Sequence, residues 1–484
     1  MTAGYIEMWR LVAPEVIVVI TALCVLSADL AWLRGAEARV RSMVATLLSV
    51  AGCAAAIGWI LRAPLTVSFG DGVLVLGPVA QHVQIALLAL TMLTVLLASG
   101  GDFTRHISEY LALMLLATVG MMLLVSTQNL LLIFLALELL SLSLYVLAAF
   151  DKRSERSAEA ALKYFLFGAI SAAFLLFGFS LLYGVSNSTN LGTIANMLHG
   201  APLDPLLLVA IMMTLVGLGF KVAAVPFHFW APDVYQGAPA SSAALIASGS
   251  KVAGFFILYQ VLVLGLAGAK GSSAWHGYAA GWMPVVAIVA ALSMVLGNLV
   301  AIAQTSVRRL LAYSAIGHAG YMLLTILAHT NQSFSALLYY AITYALTVLG
   351  AFGVVAVVER VTGGDTLAHF AGLSRRAPLV SLCMLVFMLS LAGIPPLAGF
   401  FGKFYVFASA LNADHELLWL VVLAIAMSAV SLYYYLKVLK SIYVGEPAGE
   451  APVRVPVVQQ VVLAVIALGV VVLGCVPSLL LRWL

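Results

Sequence analysis

Charge is the scarcest property of this 484-residue chain: 9% of its residues are Asp, Glu, Lys or Arg, while 64% are hydrophobic. Soluble domains carry about 25% charged and about 45–50% apolar residues, so a water-facing globule is excluded. Cysteine is nearly as sparse. Cys24, Cys53, Cys383 and Cys475 each stand alone in an apolar stretch, without the close pairing that zinc or iron–sulfur sites use. No glycine-rich nucleotide loop follows a strand pattern, and no segment reads as a convincing strand. Redox and nucleotide chemistry are therefore not expected here, and the chain should hold no cofactor or metal of its own. No polar segment is long enough for a soluble domain, which leaves one polytopic, all-α membrane domain over 1–484.

Apolar runs long enough to cross about 30 Å of hydrocarbon recur from end to end. They predict fourteen spans, near 11–31, 40–60, 78–100, 107–126, 129–150, 158–184, 205–237, 239–266, 285–304, 312–328, 336–358, 377–411, 417–440 and 457–476. The first run is followed by "ADLAWLRGAEARVR", which has no small-residue cleavage site and carries its positive charge after the apolar stretch, so it is expected to stay as a span. Of the 23 Lys and Arg, fifteen lie in odd-numbered loops and four (Arg10, Arg62, Lys270, Arg482) in even loops or the termini. By the positive-inside rule the odd loops face the cytoplasm and both termini face the periplasm.

The other four basic residues are Lys163, Lys221, Lys251 and Lys403, all inside spans. At 1.5 Å per residue, Lys251 lies about 18 Å from either end of its span and Lys221 about 24 Å beyond the start of its own. A lysine at the bilayer centre costs about 2.5–3.5 kcal/mol on insertion scales, so such groups face a wet protein interior and mark ion or proton paths. Lys163 is only about 8 Å inside, with Glu159 four residues earlier on the same face. Two readings stand for it: a functional base, or a snorkelling, paired interfacial lysine. Glu138 is the one acid near mid-span and needs a basic partner. Other acids, including Glu15, Asp29, Asp233 and Glu359, lie at span ends or in loops, where interfacial anchoring is expected. His228 and His318 are either proton carriers or neutral rings bonded to backbone carbonyls. Together, Glu138, Lys163, Lys221, His228, Lys251, His318 and Lys403 supply groups that bind and release protons across mid-membrane, with water filling the gaps.

Spans seven and twelve are too long for one crossing and too short for two. Pro226 and Pro232 in "AAVPFHFWAP", and Pro395 and Pro396 in "GIPPLAGFFG", should break both, leaving links whose polar groups must face protein or water. Two breaks five spans apart suggest two inverted five-helix repeats, a common transporter architecture with its sites at the breaks. The units expected are 1–106 (three N-terminal spans), 107–266 (first repeat), 285–440 (second repeat) and 441–484 (C-terminal span).

The stretches "ALELLSLSLYVL", "ALKYFLFGA", "GFKVAAVPFHFWAPDVYQGAP", "SGSKVAGF" and "GIPPLAGFFGKF" resemble the antiporter-like membrane subunits of the proton-pumping NADH:quinone oxidoreductase, respiratory complex I, and the resemblance covers nearly the whole chain. "PDVYQGAP" is similar to the N type of that family rather than to the L and M types. The resemblance implies that Glu138 and Lys221 form a coupled acid and base in a first half-channel with Lys163 beside them, that Lys251 is the central relay, and that Lys403 ends the second half-channel. His228 and His318 match bridging positions. It also implies NAD, flavin, iron–sulfur clusters and quinone in partner subunits, sister antiporter-like subunits as neighbours in a bacterial inner membrane, and no nucleic-acid partner. Three rivals differ in class: a subunit of a multi-subunit sodium/proton antiporter, a non-pumping structural subunit of the membrane arm, and a carrier for small-solute uptake. A sodium site would favour clustered oxygen ligands, whereas one mid-membrane acid stands against four lysines. The polar groups read as a relay and not a pocket, which disfavours solute uptake.

Overall fold

A computed structural model describes residues 8–62, 66–99, 103–200, 202–273, 277–413, 417–446 and 453–484. The expected periplasmic N-terminus falls on residues 1–7, outside the described residues. In chain order the helices are α1 (Ala13–Ala31), α2 (Ala38–Arg62), α3 (Pro78–Ala98), α4 (Ile107–Val125), α5 (Leu130–Ala148), α6 (Glu155–Ser186), α7 (Leu191–Leu198), α8 (Pro205–Val222), α9 (Trp230–Gly237), α10 (Ala240–Ala247), α11 (Gly249–Tyr259), α12 (Trp282–Ile302), α13 (Val307–Ala328), α14 (Asn331–Thr362), α15 (Leu373–Arg376), α16 (Pro378–Ala392), α17 (Ala398–Ala413), α18 (Leu418–Val444), α19 (Val457–Cys475) and α20 (Ser478–Leu481). Among the described residues, thirteen segments are helical, long and apolar enough to cross a bilayer, one of them the composite 240–265. The remaining expected span, 377–411, is present as the two short helices α16 and α17.

Both predicted breaks are there, and they share one design. At the end of α8, Ala223 is left-handed (φ 57°), and the Ala223 and Ala224 amides donate to Phe220 O and Gly219 O at 3.0 Å each. At the end of α16, Gly393 is left-handed (φ 88°), and the Gly393 and Ile394 amides donate to Ser390 O and Leu389 O at 3.0 Å each. These are Schellman endings, which satisfy carbonyls that a helix terminus would leave orphaned. The proline one or two residues later prevents the helix from resuming at once. The links are held by protein: the Val225 amide donates to Ser293 Oγ on α12 at 2.9 Å, and the Gly399 amide to Ser390 Oγ at 3.2 Å. A Cβ on Gly399 would sit 1.9 Å from Ser390 O, so only glycine allows α17 to start this close to α16.

The same recurrence extends beyond the breaks. Leu130 N–H donates to Thr189 O at 2.8 Å and Leu191 N–H to Gln128 O at 2.9 Å, bracketing the 32-residue α6. In the second half Val307 N–H donates to Asp365 O at 2.8 Å and Leu367 N–H to Thr305 O at 2.9 Å, bracketing the 32-residue α14. Both long helices end on a left-handed residue, Asn187 and Gly363. α4 packs on α5 and α11 as α12 packs on α13 and α18.

Two features depart from the expectation. A strand pair, β1 (Val67–Phe69) with β2 (Leu74–Leu76), exists where no strand was expected. Three consecutive positive-φ residues, Gly70, Asp71 and Gly72, close the turn, and Val75 N–H and Gly72 O bond the 126–128 link at 2.7 and 2.9 Å. Three-residue strands are too short for alternation to show. Span eight is also interrupted: Ser248 (φ −107°, ψ −92°) separates α10 from α11, and a π-helical turn at Gln260–Gly265 ends it. Composite span 240–265, α13 and α14 form the buried centre, with α1, α2, α6, α18 and α19 around them.

Candidate functional site: buried bases and their tyrosines

Lys221 occupies the last turn of α8 and is 4% exposed. Its Nζ donates to Ser141 Oγ on α5 at 3.1 Å, and Ser141 lies one turn beyond Glu138. Glu138 is half-buried. It forms no ion pair with Lys221 within 4 Å. The Phe220 carbonyl, beside Lys221, accepts Trp230 Nε1–H at 3.1 Å. Gly254 on α11 makes the room: a Cβ there would be 3.4 Å from Lys221 Cγ.

Lys251 follows one turn before Gly254, just past the Ser248 interruption. It is buried, donates to Ala315 O on α13 at 2.6 Å and has its Nζ 5.7 Å from the Tyr344 ring centroid. One turn beyond Ala315 is His318, whose Nδ1 meets Tyr340 Oη at 2.6 Å and whose Nε2 meets Tyr435 Oη at 3.0 Å. Tyr435 in turn bonds Ser314. The His318 ring lies 4.8 Å from that of Tyr344 and 5.6 Å from that of Tyr321. Lys403 also meets Tyr321, with its Nζ 5.4 Å from the ring centroid, and donates to Ala392 O at 3.0 Å and Ser428 Oγ at 2.8 Å. Ala392 is the last residue of α16. Lys403 thus reaches back across its break to the carbonyl end of the first half-helix, the same end that Lys221 occupies on α8. A cation is favoured there by the helix dipole.

Two predicted residues stand apart. Lys163 is 38% exposed at its side chain, with Nζ 2.7 Å from both Glu159 and Asp233. No direct bond joins it to Glu138 or Lys221, so the paired interfacial reading describes its geometry. His228 lies in the first break, buried, with Nδ1 free of protein hydrogen bonds and the ring stacked 4.5 Å from Phe229; it does not touch the other bases. Glu15 is a correction: it is 4% exposed, accepts from Gln84 Nε2 at 2.7 Å, and is no interfacial anchor. Asp29 is likewise buried, held by Arg41 Nε and Nη2 at 2.6 Å each. The tyrosines were missed. "LYYAITY" on α14 places Tyr340 and Tyr344 one turn apart, and that i, i+4 spacing of hydroxyls in an apolar helix was the available signal.

Paired broken helices, each with a lysine at the carbonyl end of its first half-helix, and a string of bases through the buried centre define an antiporter-like membrane subunit. The family model "NADH:quinone oxidoreductase/Mrp antiporter, TM" matches residues 127–428, and the chain belongs to that family. It is 56% identical to NADH-quinone oxidoreductase subunit N 2 of Acidobacterium capsulatum, over 99% of each chain. It superposes on a chain of respiratory complex I from Thermus thermophilus with bound aureothin at a TM-score of 0.80 and 36% identity, covering 97% of this chain and 98% of that one. The Mrp complex of Dietzia sp. DQ12-45-1b shares the fold, at a TM-score of 0.82 and 21% identity over 97% and 96% of the two chains.

Proposed function

We propose that this chain is a proton-translocating N-type subunit of the membrane arm of NADH:quinone oxidoreductase, with sister antiporter-like subunits as neighbours in a bacterial inner membrane and both termini periplasmic. NADH, flavin, iron–sulfur clusters and quinone belong to its partners. The observation that carries this reading is the row Lys221, Lys251, His318 and Lys403, all buried at the centre of the fold. Uncompensated buried charge is costly, and each of these groups can exist neutral after giving up a proton. The two five-span repeats each contribute a half-channel, and Lys251 joins them.

In this mechanism Glu138 and Lys221 load the first half-channel. When the carboxylate draws toward the ammonium the proton is held; when it withdraws, the proton passes along the face opened by Gly254 to Lys251. From there Tyr344, His318 and the Tyr435 hydroxyl lead to Lys403, with water bridging the remaining gaps. Moving one charge against about 150–200 mV costs about 3.5–4.6 kcal/mol, which is the change in proton affinity that movement of Glu138 must produce. A cavity of about 480 Å³ lined by Ser241, Ala244, Arg308 and Glu359 opens on the arginine-rich side and serves as the cytoplasmic entrance, since Ser248 and Lys251 follow on the next two turns.

The test is NADH-driven proton translocation by the assembled complex in proteoliposomes. Glu138→Ala and Lys221→Ala should each abolish most pumping through this subunit while the complex still assembles, and Glu138→Asp should retain more than Glu138→Ala. Wild-type pumping by both alanine variants would leave only the structural-subunit reading.

A further inference from the structure

Asp233 lies on α9, the eight-residue half-helix that follows the first break. Its two oxygens are divided between the two halves of the molecule. Oδ2 receives Lys163 Nζ of α6 at 2.7 Å, and Oδ1 receives Arg309 Nη1 of α13 at 2.7 Å. Glu159 holds Lys163 from the other side at 2.7 Å, and Gln236 holds Arg309 at 3.3 Å. A carboxylate that merely anchored a helix end would need one such partner.

The grip on α6 continues inward. Tyr164, next to Lys163, stacks on Trp230 at 4.5 Å with an interplanar angle of 11°, and Trp230 is one turn before Asp233. Trp230 Nε1 closes the Phe220 carbonyl beside Lys221 at 3.1 Å. Tyr164 also meets Tyr145 of α5 edge-on at 4.8 Å, and Tyr145 is one turn from Ser141, the acceptor of Lys221. On the other side, α13 carries Arg309, then the Ala315 carbonyl that receives Lys251, then His318. Asp233 therefore joins the helix whose motion sets the surroundings of Lys221 to the helix that sets those of Lys251 and His318.

We infer that Asp233 is the positioning residue that couples the two half-channels, and that Lys163 serves it as a fixed cation without handing on a proton. A shift of α13, as Lys251 takes or releases the Ala315 carbonyl, moves Arg309 and with it Asp233, α9 and Trp230, and so alters the fit around Lys221. The inference rests on the proposed proton route and assigns a role to the one predicted lysine that the route does not reach.

The experiment measures protons moved per NADH oxidised, on assembled complex in proteoliposomes, for Asp233→Asn, Asp233→Glu, Lys163→Met and Lys163→Arg, with Lys221→Arg alongside. Asp233→Asn and Lys163→Met should lower the ratio to about the value that Lys221→Arg gives, the value left when translocation through this subunit is lost and its sister subunits still pump. Asp233→Glu and Lys163→Arg keep the ion pairs and should hold the wild-type ratio, even though arginine cannot release a proton. A fold defect alone would lower the yield of complex and leave the ratio unchanged. An unchanged ratio in Asp233→Asn overturns the inference, and so does a Lys163→Arg variant as defective as Lys163→Met, because Lys163 would then be passing its own proton. If Lys221→Arg pumps normally, the proton route itself fails; if Lys221→Arg is inactive while Asp233→Asn is normal, only the coupling role is lost.

Discussion

Replacing Ser293 by alanine tests whether protein, and not water, holds the first break open. Val225 is 3% exposed and its amide has Ser293 Oγ as its acceptor at 2.9 Å. Removing that oxygen leaves a buried N–H without a partner, which costs about 1–3 kcal/mol, or about 5–150-fold in the equilibrium between closed and opened link. Trp230→Phe removes a bond from the Phe220 carbonyl, but that oxygen keeps the Ala223 amide at 3.0 Å. Its cost should therefore be near the ordinary net value of a hydrogen bond, about 0.5–1.5 kcal/mol. Amide hydrogen exchange read by mass spectrometry on peptides spanning 219–230 measures both. Faster exchange in Ser293→Ala than in Trp230→Phe, and in both than in wild type, is the expected order. Wild-type protection in Ser293→Ala would show that the link is solvated and that its satisfaction by α12 has no energetic weight.

Three further outcomes follow from the geometry. Tyr435→Phe removes the hydroxyl shared by His318 and Ser314 and should cut most of the pumping through this subunit, whereas Tyr339→Phe, whose hydroxyl bonds Leu473 O at 2.7 Å away from the route, should pump like wild type; equal activities would remove Tyr435 from the relay. Gly254→Ala brings a Cβ only to contact distance, 3.4 Å from Lys221 Cγ, and should be tolerated, while Gly254→Leu overpacks the site by about 1–3 kcal/mol and should lower both the melting temperature of the complex and its pumping. For topology, a cysteine at position 278, where Tyr278 is 74% exposed in an even loop, should label from outside intact cells, and a cysteine at position 153 should not; the reverse pattern would invert the assignment.

Much of this architecture was legible because the bilayer imposes a coarse code. Length and hydropathy place spans, and proline placed both breaks at Pro226 and at Pro395 and Pro396. The cost of buried charge singled out Lys221, Lys251 and Lys403, which all proved to be buried. What stayed hidden is finer. Ala223 takes a left-handed conformation that its identity does not advertise, whereas Gly393 at the matching place does. Ser248 interrupts a helix without a proline, in a "SGS" stretch that also reads as ordinary transmembrane sequence. Lys163 kept two readings open because hydropathy cannot say which face of α6 points outward; Asp233, 70 residues away, decides its partner. The tyrosines around His318 come from α13, α14 and α18, and no local pattern reports that three helices converge.

Proton exchange at Lys221 can be isolated in one comparison: the ratio of protons translocated to NADH oxidised by assembled complex carrying Lys221→Arg against wild type. Arginine keeps the charge beside Ser141 and Glu138 but stays protonated at every accessible pH. Loss of translocation through this subunit with assembly intact is the predicted result. A Lys221→Arg complex that pumps at the wild-type ratio would contradict it, because a group that never releases its proton cannot be a step in the route.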